Sequence, residues 1–300
     1  MAAADSGYIG RFAPTPSGYL HFGSLLAALA SYLDARQAGG QWLLRIEDLD
    51  TPRNLPSADQ HILHTLDAFG LHWDGPVIWQ SQRLEYYNSL LADWLQRDLA
   101  FYCNCSRQDL KPFAGVYPGT CRQRHLPADP SHAIRVRVDG RLIRVSDRLQ
   151  EPVEVCLSTD PGDFVVRRRD GIIAYQLAVV ADDVAQGITD IVRGADLLDS
   201  TARQLWLYHL LSAPVPRYLH IPLLLQSDGN KLSKRLGSTP LEANQAPALL
   251  FQALHTLAQQ PPAELQQAPV KEQLDWAIAH WQPGHLPTAG QFSELFRASH

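Results

Sequence analysis

Apolar positions in this chain change their spacing several times, and each change marks an element. Residues 8 to 13 (Tyr-Ile-Gly-Arg-Phe-Ala) predict a short strand, and Pro14 to Gly18 a turn. Phe22, Leu25, Leu26, Leu29 and Leu33 then recur at three- and four-residue steps, the stripe of a helix that Gly39-Gly40 ends. Trp42 to Glu47 is a continuous apolar run turning polar at its end, as a buried parallel strand does where its carboxyl edge meets a site. Strand, helix and strand make a crossover unit. Ser57 with Gln60 predicts a capping box ahead of a helix carrying Ile62, Leu63, Leu66 and Phe69, which Gly70 closes. Leu84, Tyr87, Leu91, Trp94 and Leu95 predict another helix.

Near Phe101 the pattern shortens to alternating runs at Ile134 to Val138, Leu142 to Val145, Val153 to Leu157 and Phe164 to Arg168. This predicts an inserted, strand-rich module. The long apolar pattern returns at Ile172, with a helix at about Tyr175 to Ala185, a buried strand at Ile188 to Val192 and a helix from about Ser200 to Leu211. A strand at Tyr218 to Leu225 and a tight turn at Ser227-Asp228-Gly229-Asn230 follow. The fold expected is an α/β domain split by an insertion. Its first half spans 1–100, the insertion 101–170, the second half 171–238, and a small, acidic, helical tail 239–300.

Composition narrows the function. In 300 residues, 45% apolar content suffices for a proper core. A net charge of -5 argues against a protein that coats nucleic acid non-specifically, but leaves room for one docked RNA. No basic-then-apolar leader opens the chain, and no apolar run approaches the roughly 20 residues of a membrane helix, so a cytoplasmic protein is expected. Cysteines number four, too few for a disulfide scaffold, and three crowd into positions 103 to 121, which points to metal. Cys103, Cys105 and Cys121 can supply three tetrahedral positions for zinc, and a phenol such as Tyr117 or a histidine could complete four. Buried, unmetallated thiols are the alternative. Cys156 stands apart as a small apolar strand residue, and the alternating arginines from Arg135 to Arg148 read mainly as a solvated face.

Lysine is scarce, four against 22 arginines, yet two fall in Lys231-Leu232-Ser233-Lys234-Arg235. Compact, mobile ammonium groups suit a triphosphate whose charge shifts as pyrophosphate leaves. Leu20-His21-Phe22-Gly23-Ser24 opens the first helix, whose unpaired N–H groups attract anions, with His21 as a donor and Gly23 permitting close approach. Each motif alone has a bland reading: a helix cap, a solvated basic loop, or, for Arg45-Ile46-Glu47-Asp48-Leu49-Asp50, surface acids. Their joint order at predicted strand ends favours one ATP site.

Arg11-Phe12-Ala13-Pro14-Thr15-Pro16-Ser17-Gly18-Tyr19-Leu20-His21-Phe22-Gly23, Arg45 to Asp50, Tyr175 to Ala178, Arg193 to Leu198 and Lys231 to Arg235 together resemble, in order, the motifs of class I aminoacyl-tRNA synthetases of the glutamyl branch. The resemblance runs over roughly residues 8 to 238. Ser24 stands where the class has the last His of His-Ile-Gly-His, which this branch commonly lacks, and Leu232 and Arg235 replace Met and Ser of Lys-Met-Ser-Lys-Ser. The resemblance implies a Rossmann-like nucleotide-binding domain split by a zinc-bearing insertion, with a small helical C-terminal region. Glutamate needs cations for its acids and an anion for its amine. Arg11 and Arg193 would hold carboxylate, Glu47 the ammonium, and Thr15 and Tyr175 would add hydroxyls, with Phe12, Ala13 and Pro14 in the same wall. His21, Gly23, Ser24 and Lys234 would bind ATP, accompanied by Mg²⁺ and assisted by Lys231, so that His21, Lys231 and Lys234 form the catalytic set. The resemblance also implies zinc held by Cys103, Cys105, Tyr117 and Cys121, with His125 competing for the fourth place.

The 65 residues after Arg235 are too few for the anticodon-reading region of the long members. The nearest resemblance is therefore to the short paralogues, which activate glutamate without tRNA and esterify it to the queuosine base in the anticodon loop of tRNA(Asp). A monomer is expected, with L-glutamate, ATP and an anticodon stem-loop as partners and no membrane. Other readings are a truncated synthetase charging a tRNA 3′ end, a non-catalytic zinc RNA-binding paralogue, and an unrelated nucleotidyltransferase.

Overall fold

The computed structural model describes residues 7–222 and 239–287. The lysine motif, with Lys231 and Lys234, and the turn before it lie outside the described residues.

The chain opens with β1 (Ile9–Phe12), α1 (Phe22–Gln37) and β2 (Gln41–Ile46), the predicted crossover unit, and β2 pairs parallel to β1 with Phe12 opposite Leu44. Gly39, at φ +67°, turns the chain out of α1, and the Gln41 N–H then donates to the Tyr8 carbonyl. Next come α2 (Ala58–Ala68), β3 (Ile78–Trp79), which pairs parallel to β2, and α3 (Leu84–Gln96). The predicted capping box is absent. Ser57 adopts a left-handed conformation (φ 62°) in place of the extended one a capping serine normally takes, and makes no side-chain cap hydrogen bond.

β4 (Ala100–Cys103), α4 (Arg107–Leu110), β5 (Ala133–Val136), β6 (Leu142–Val145), β7 (Val153–Cys156) and β8 (Val165–Arg167) occupy the strand-rich region. β4, β5 and β8 form one antiparallel sheet, and β6 and β7 a second pair. The parallel pattern resumes with α5 (Tyr175–Ala185), β9 (Asp190–Gly194), α6 (Leu198–Leu210) and β10 (Arg217–Ile221). The two parallel sheets meet edge to edge where the Thr189 N–H donates to the Ile9 carbonyl. Finally α7 (Ala246–Thr256) and α8 (Val270–His280) follow.

Two main cores hold these pieces. In the first, Leu25, Leu29 and Leu33 of α1 pack with Trp42, Leu44 and Ile46 of β2, Phe69 after α2, and Leu250, Leu254 and Leu274 from the last two helices. Helix α1 is thus covered on both sides, which is why its sequence is apolar beyond one stripe and rich in alanine. Asp34 inside that core accepts from the Trp281 indole and pairs with Arg148, tying the tail to the body. In the second core, Tyr87, Leu91 and Trp94 of α3 pack with Ile134 and Val136 of β5, Val166 of β8, Leu177 of α5 and Trp206 of α6. The antiparallel sheet therefore shares its hydrophobic face with helices on either side of it in sequence.

Candidate active site

The carboxyl ends of β1, β2 and β9 and the amino end of α5 converge on a cavity of about 510 Å³. Seven residues expected from the sequence line it: Arg11, Phe12, Ala13, Thr15, Glu47, Tyr175 and Arg193. Pro14 is not in the wall. Its carbonyl accepts the Glu47 N–H at 3.0 Å, so it holds Glu47 from behind. Asp50, Arg53 and Arg168 also line the cavity, with Asp50 3.6 Å from Arg168 and 3.8 Å from Arg53.

Behind the wall lies a buried ionic network. The Arg11 Nε donates to Asp183 at 3.1 Å, and Arg45, fully buried, reaches the same carboxylate at 2.8 Å and Glu47 at 3.3 Å. Asp182 accepts from Gln80, Arg83 and Tyr87 at 2.9, 2.6 and 2.7 Å. Arg11, Arg45 and Arg83 thus face Glu47, Asp182 and Asp183, so the charges balance. Two charged residues on an apolar helix, Asp182 and Asp183 of α5, were the available sign of this network in the sequence. Arg11 combines the internal ion pair with a place in the cavity wall.

Burial pushes the Glu47 carboxyl above the usual carboxylate range, while Arg45 and Arg11 favour its anion. An incoming ammonium would strengthen that second effect. Burial and then the charge of Glu47 push the Tyr175 phenol up, leaving a neutral hydroxyl donor. Arg193 donates through Nε to His220 Nε2 at 2.9 Å, through one terminal nitrogen to Thr201 at 3.0 Å, and through the other to the Tyr175 hydroxyl at 3.5 Å. These partners are uncharged, so the guanidinium keeps its charge for a carboxylate in the cavity.

At the amino end of α1, His21 is the N-cap, and its Nδ1 accepts the Ser24 N–H at 3.2 Å. The ring proton therefore sits on Nε2, free to donate outward. Burial lowers the His21 pKa. A Cβ on Gly23 would come within 3.1 Å of the His21 ring, so glycine leaves that ring its place. His21, Gly23 and Ser24 are brought together but do not line the cavity.

The cysteine cluster lies apart from the cavity wall, in its own small core with Phe101, Tyr117 and Ala133. The sulfurs of Cys103, Cys105 and Cys121 all lie within 4.8 Å of one another and could hold a metal ion. The Tyr117 hydroxyl is 3.6 Å from Cys103 Sγ and accepts the Cys121 N–H at 2.8 Å. His125 is not part of this group. Burial, followed by the neighbouring Cys121 and Cys103, pushes the Cys105 thiol up to about 12. Thiolates packed this closely suit a cation between them. Gly162, at φ +76°, passes so near that a Cβ would meet the Tyr117 carbonyl at 2.7 Å, and this close approach seats Tyr117.

One expectation fails here. Arg135 is not on a solvated face: it is buried, its guanidinium lies 3.9 Å above the Tyr117 ring, and its Nε points at Cys103 Sγ at 3.4 Å. Both faces of β5 are covered, Ile134 and Val136 by the second main core and Ala133 and Arg135 by the small core around Tyr117 and Cys103, so alternation no longer implies water. Arg148 likewise pairs with Asp34. Arg141 and Arg144 are exposed.

The parallel sheet, the cavity at its carboxyl edge and the anion-attracting start of α1 agree with a family match: tRNA synthetases class I (E and Q), catalytic domain, over residues 9–257. The chain belongs to that family. Among curated proteins it is 55% identical over 290 residues to the glutamyl-Q tRNA(Asp) synthetase of Ectopseudomonas mendocina, covering 97% of this chain and 98% of that one. A protein of the same name from Pseudomonas aeruginosa is 56% identical over 290 residues, covering 96% and 98%. Among solved structures, a glutamate tRNA ligase from Elizabethkingia meningosepticum, in complex with its amino acid, superposes with a TM-score of 0.78 at 25% identity, covering 98% of this chain and 69% of that one.

Proposed function

We propose that the chain activates L-glutamate with ATP, without tRNA, and then transfers the glutamyl group to the queuosine base in the anticodon loop of tRNA(Asp). The observation that carries the activating half is the composition of the cavity. Two buried guanidiniums, Arg11 and Arg193, stand with one buried carboxylate, Glu47, and the Tyr175 hydroxyl, a set complementary to an amino dicarboxylic acid. The acceptor is supported by the relatives at 55% and 56% identity, whose names give glutamyl-Q and tRNA(Asp).

In the first step a glutamate carboxylate oxygen attacks the α-phosphorus of ATP, and the bond to pyrophosphate breaks. Arg11, Arg193 and Glu47 orient the amino acid, His21 donates to a phosphate oxygen from the start of α1, and Lys231 and Lys234 take up the charge of departing pyrophosphate. Gly23 and Ser24 line the nucleotide approach, and Mg²⁺ enters with ATP. In the second step a cyclopentene hydroxyl of queuosine attacks the adenylate carbonyl, and AMP leaves. Thr15, with Phe12 and Ala13, closes the amino-acid wall, and Pro14 holds Glu47 from behind it.

The parallel strands are read as one Rossmann-like domain in two halves, 1–100 and 171–238. The module 101–170 would face the anticodon stem-loop, and 239–300 would be a short tail, with α7 and α8 in its described part. Cys103, Cys105 and Cys121, with Tyr117 as the fourth ligand, would hold zinc in the module, where it would fix the loops as a structural ion. Among the described residues no helix is long and apolar enough to cross a membrane, and the enzyme is taken to act as a cytoplasmic monomer.

One preparation tests the activating half and the metal together. The purified chain is expected to carry about one zinc ion and to support glutamate-dependent ATP–pyrophosphate exchange with no tRNA present. Active chain free of zinc would sink the metal assignment, and exchange supported by another amino acid but not by glutamate would sink the substrate.

A further inference from the structure

Arg193 is held by a group that the reading of the cavity does not use. His220, on β10, is buried, and its Nε2 lies 2.9 Å from the Arg193 Nε. A guanidinium only donates, so Nε2 must be the accepting, unprotonated nitrogen of a neutral ring. The ring proton is then on Nδ1, which lies 2.6 Å from Asp147 Oδ2. Asp147, in the loop after β6, is itself fixed: its Oδ1 accepts the N–H groups of Leu149 and Gln150, each at 2.9 Å, and its carboxylate also takes the His220 N–H. The Gln150 side chain closes the loop by donating to the His220 carbonyl at 2.8 Å.

We infer that Asp147 and His220 are positioning residues for the reaction: Asp147 sets the tautomer of His220, and His220 then locks the plane of the Arg193 fork toward the amino acid. With Nε taken by His220 and one terminal nitrogen by Thr201, the guanidinium cannot rotate about its long axis. The remaining nitrogen, beside Tyr175, is presented to the cavity. The arrangement joins three separate parts of the chain, since Asp147 follows β6, His220 lies in β10 and Arg193 in β9. It also makes glutamate binding depend on a loop of the strand-rich region. The inference rests on Arg193 contacting glutamate, as proposed above.

Asp147→Asn is the sharpest probe, because it conserves shape. Asparagine keeps its oxygen for Leu149 and Gln150 and turns an amide donor toward Nδ1, driving the ring proton to Nε2, where it meets the Arg193 donor. The glutamate KM in the exchange assay is expected to rise roughly tenfold or more, with the ATP KM unchanged. His220→Leu, which removes the acceptor, is expected to do the same. His220→Gln, whose carbonyl can accept from Arg193, is expected to restore most of the affinity. A purely structural role would instead reduce the active fraction and leave both KM values alone. Should Asp147→Asn fail to fold, the contrast between His220→Leu and His220→Gln decides. Arg193→Ala raising the glutamate KM while His220→Leu does not would overturn the relay and leave the function standing. An unchanged glutamate KM in Arg193→Ala would remove both.

Discussion

Arg193→Ala is expected to cut kcat/KM for glutamate in the exchange reaction by about 10³-fold, since truncating one member of a buried, hydrogen-bonded charge pair costs about 2–5 kcal/mol. The size follows from the geometry. Arg193 is 5% exposed, and its hydrogen-bond partners are neutral. Arg193→Lys should recover only part of the loss, because an ammonium cannot keep both the His220 contact and a carboxylate in one plane. Circular dichroism should show the fold retained in both variants. Exchange at the unaltered rate in Arg193→Ala would remove this residue from the site.

The second large effect concerns stability. Asp183→Asn leaves Arg11 and Arg45, both buried, facing an amide in place of their shared carboxylate. Removing one partner of a buried ion pair destabilises by about 3–5 kcal/mol, and here one carboxylate serves two cations. The pH dependence has a definite sign. Burial works to raise the Asp183 pKa, but Arg11 and Arg45 outweigh it and hold the carboxyl below its ordinary value. Its contribution is therefore complete above the unfolded aspartate pKa of about 4 and is lost as pH falls through the lower folded value. Urea unfolding at pH 7 should place the variant well below the parent, and the gap should narrow in acid. Equal midpoints at pH 7 would show that the network does not hold the fold as described.

Much of this was legible in the sequence because local pattern and tertiary role coincide. The apolar steps from Phe22 to Leu33, the run Trp42 to Glu47 and the stretch Tyr175 to Ala185 are elements whose own periodicity agrees with where they are buried. The seven cavity residues were named through the resemblance of their motifs to the glutamyl branch, and the fold brings those motifs together because each lies at a strand end or a helix start. What escaped depends on contacts between distant parts of the chain. Nothing local tells that Arg135 lies against a tyrosine rather than in water, since its burial comes from Tyr117, Cys103 and Asp163, distant in sequence, packing over its face of the sheet. Nor does spacing reveal that Asp147 and His220 share a hydrogen bond, because 73 positions separate them. Ser57 shows the opposite error, a local motif overridden by the turn that precedes α2.

The central claim is the identity of the acceptor, and one measurement addresses it. Labelled glutamate, ATP and the chain should be incubated with queuosine-containing tRNA(Asp) and, separately, with the same tRNA lacking queuosine. Transfer is expected only to the first, and the label should stay on the anticodon stem-loop when the 3′ end is removed. Equal labelling of both tRNAs, with the label lost on removing the terminal adenosine, would contradict the account and make the chain a synthetase that charges a 3′ end.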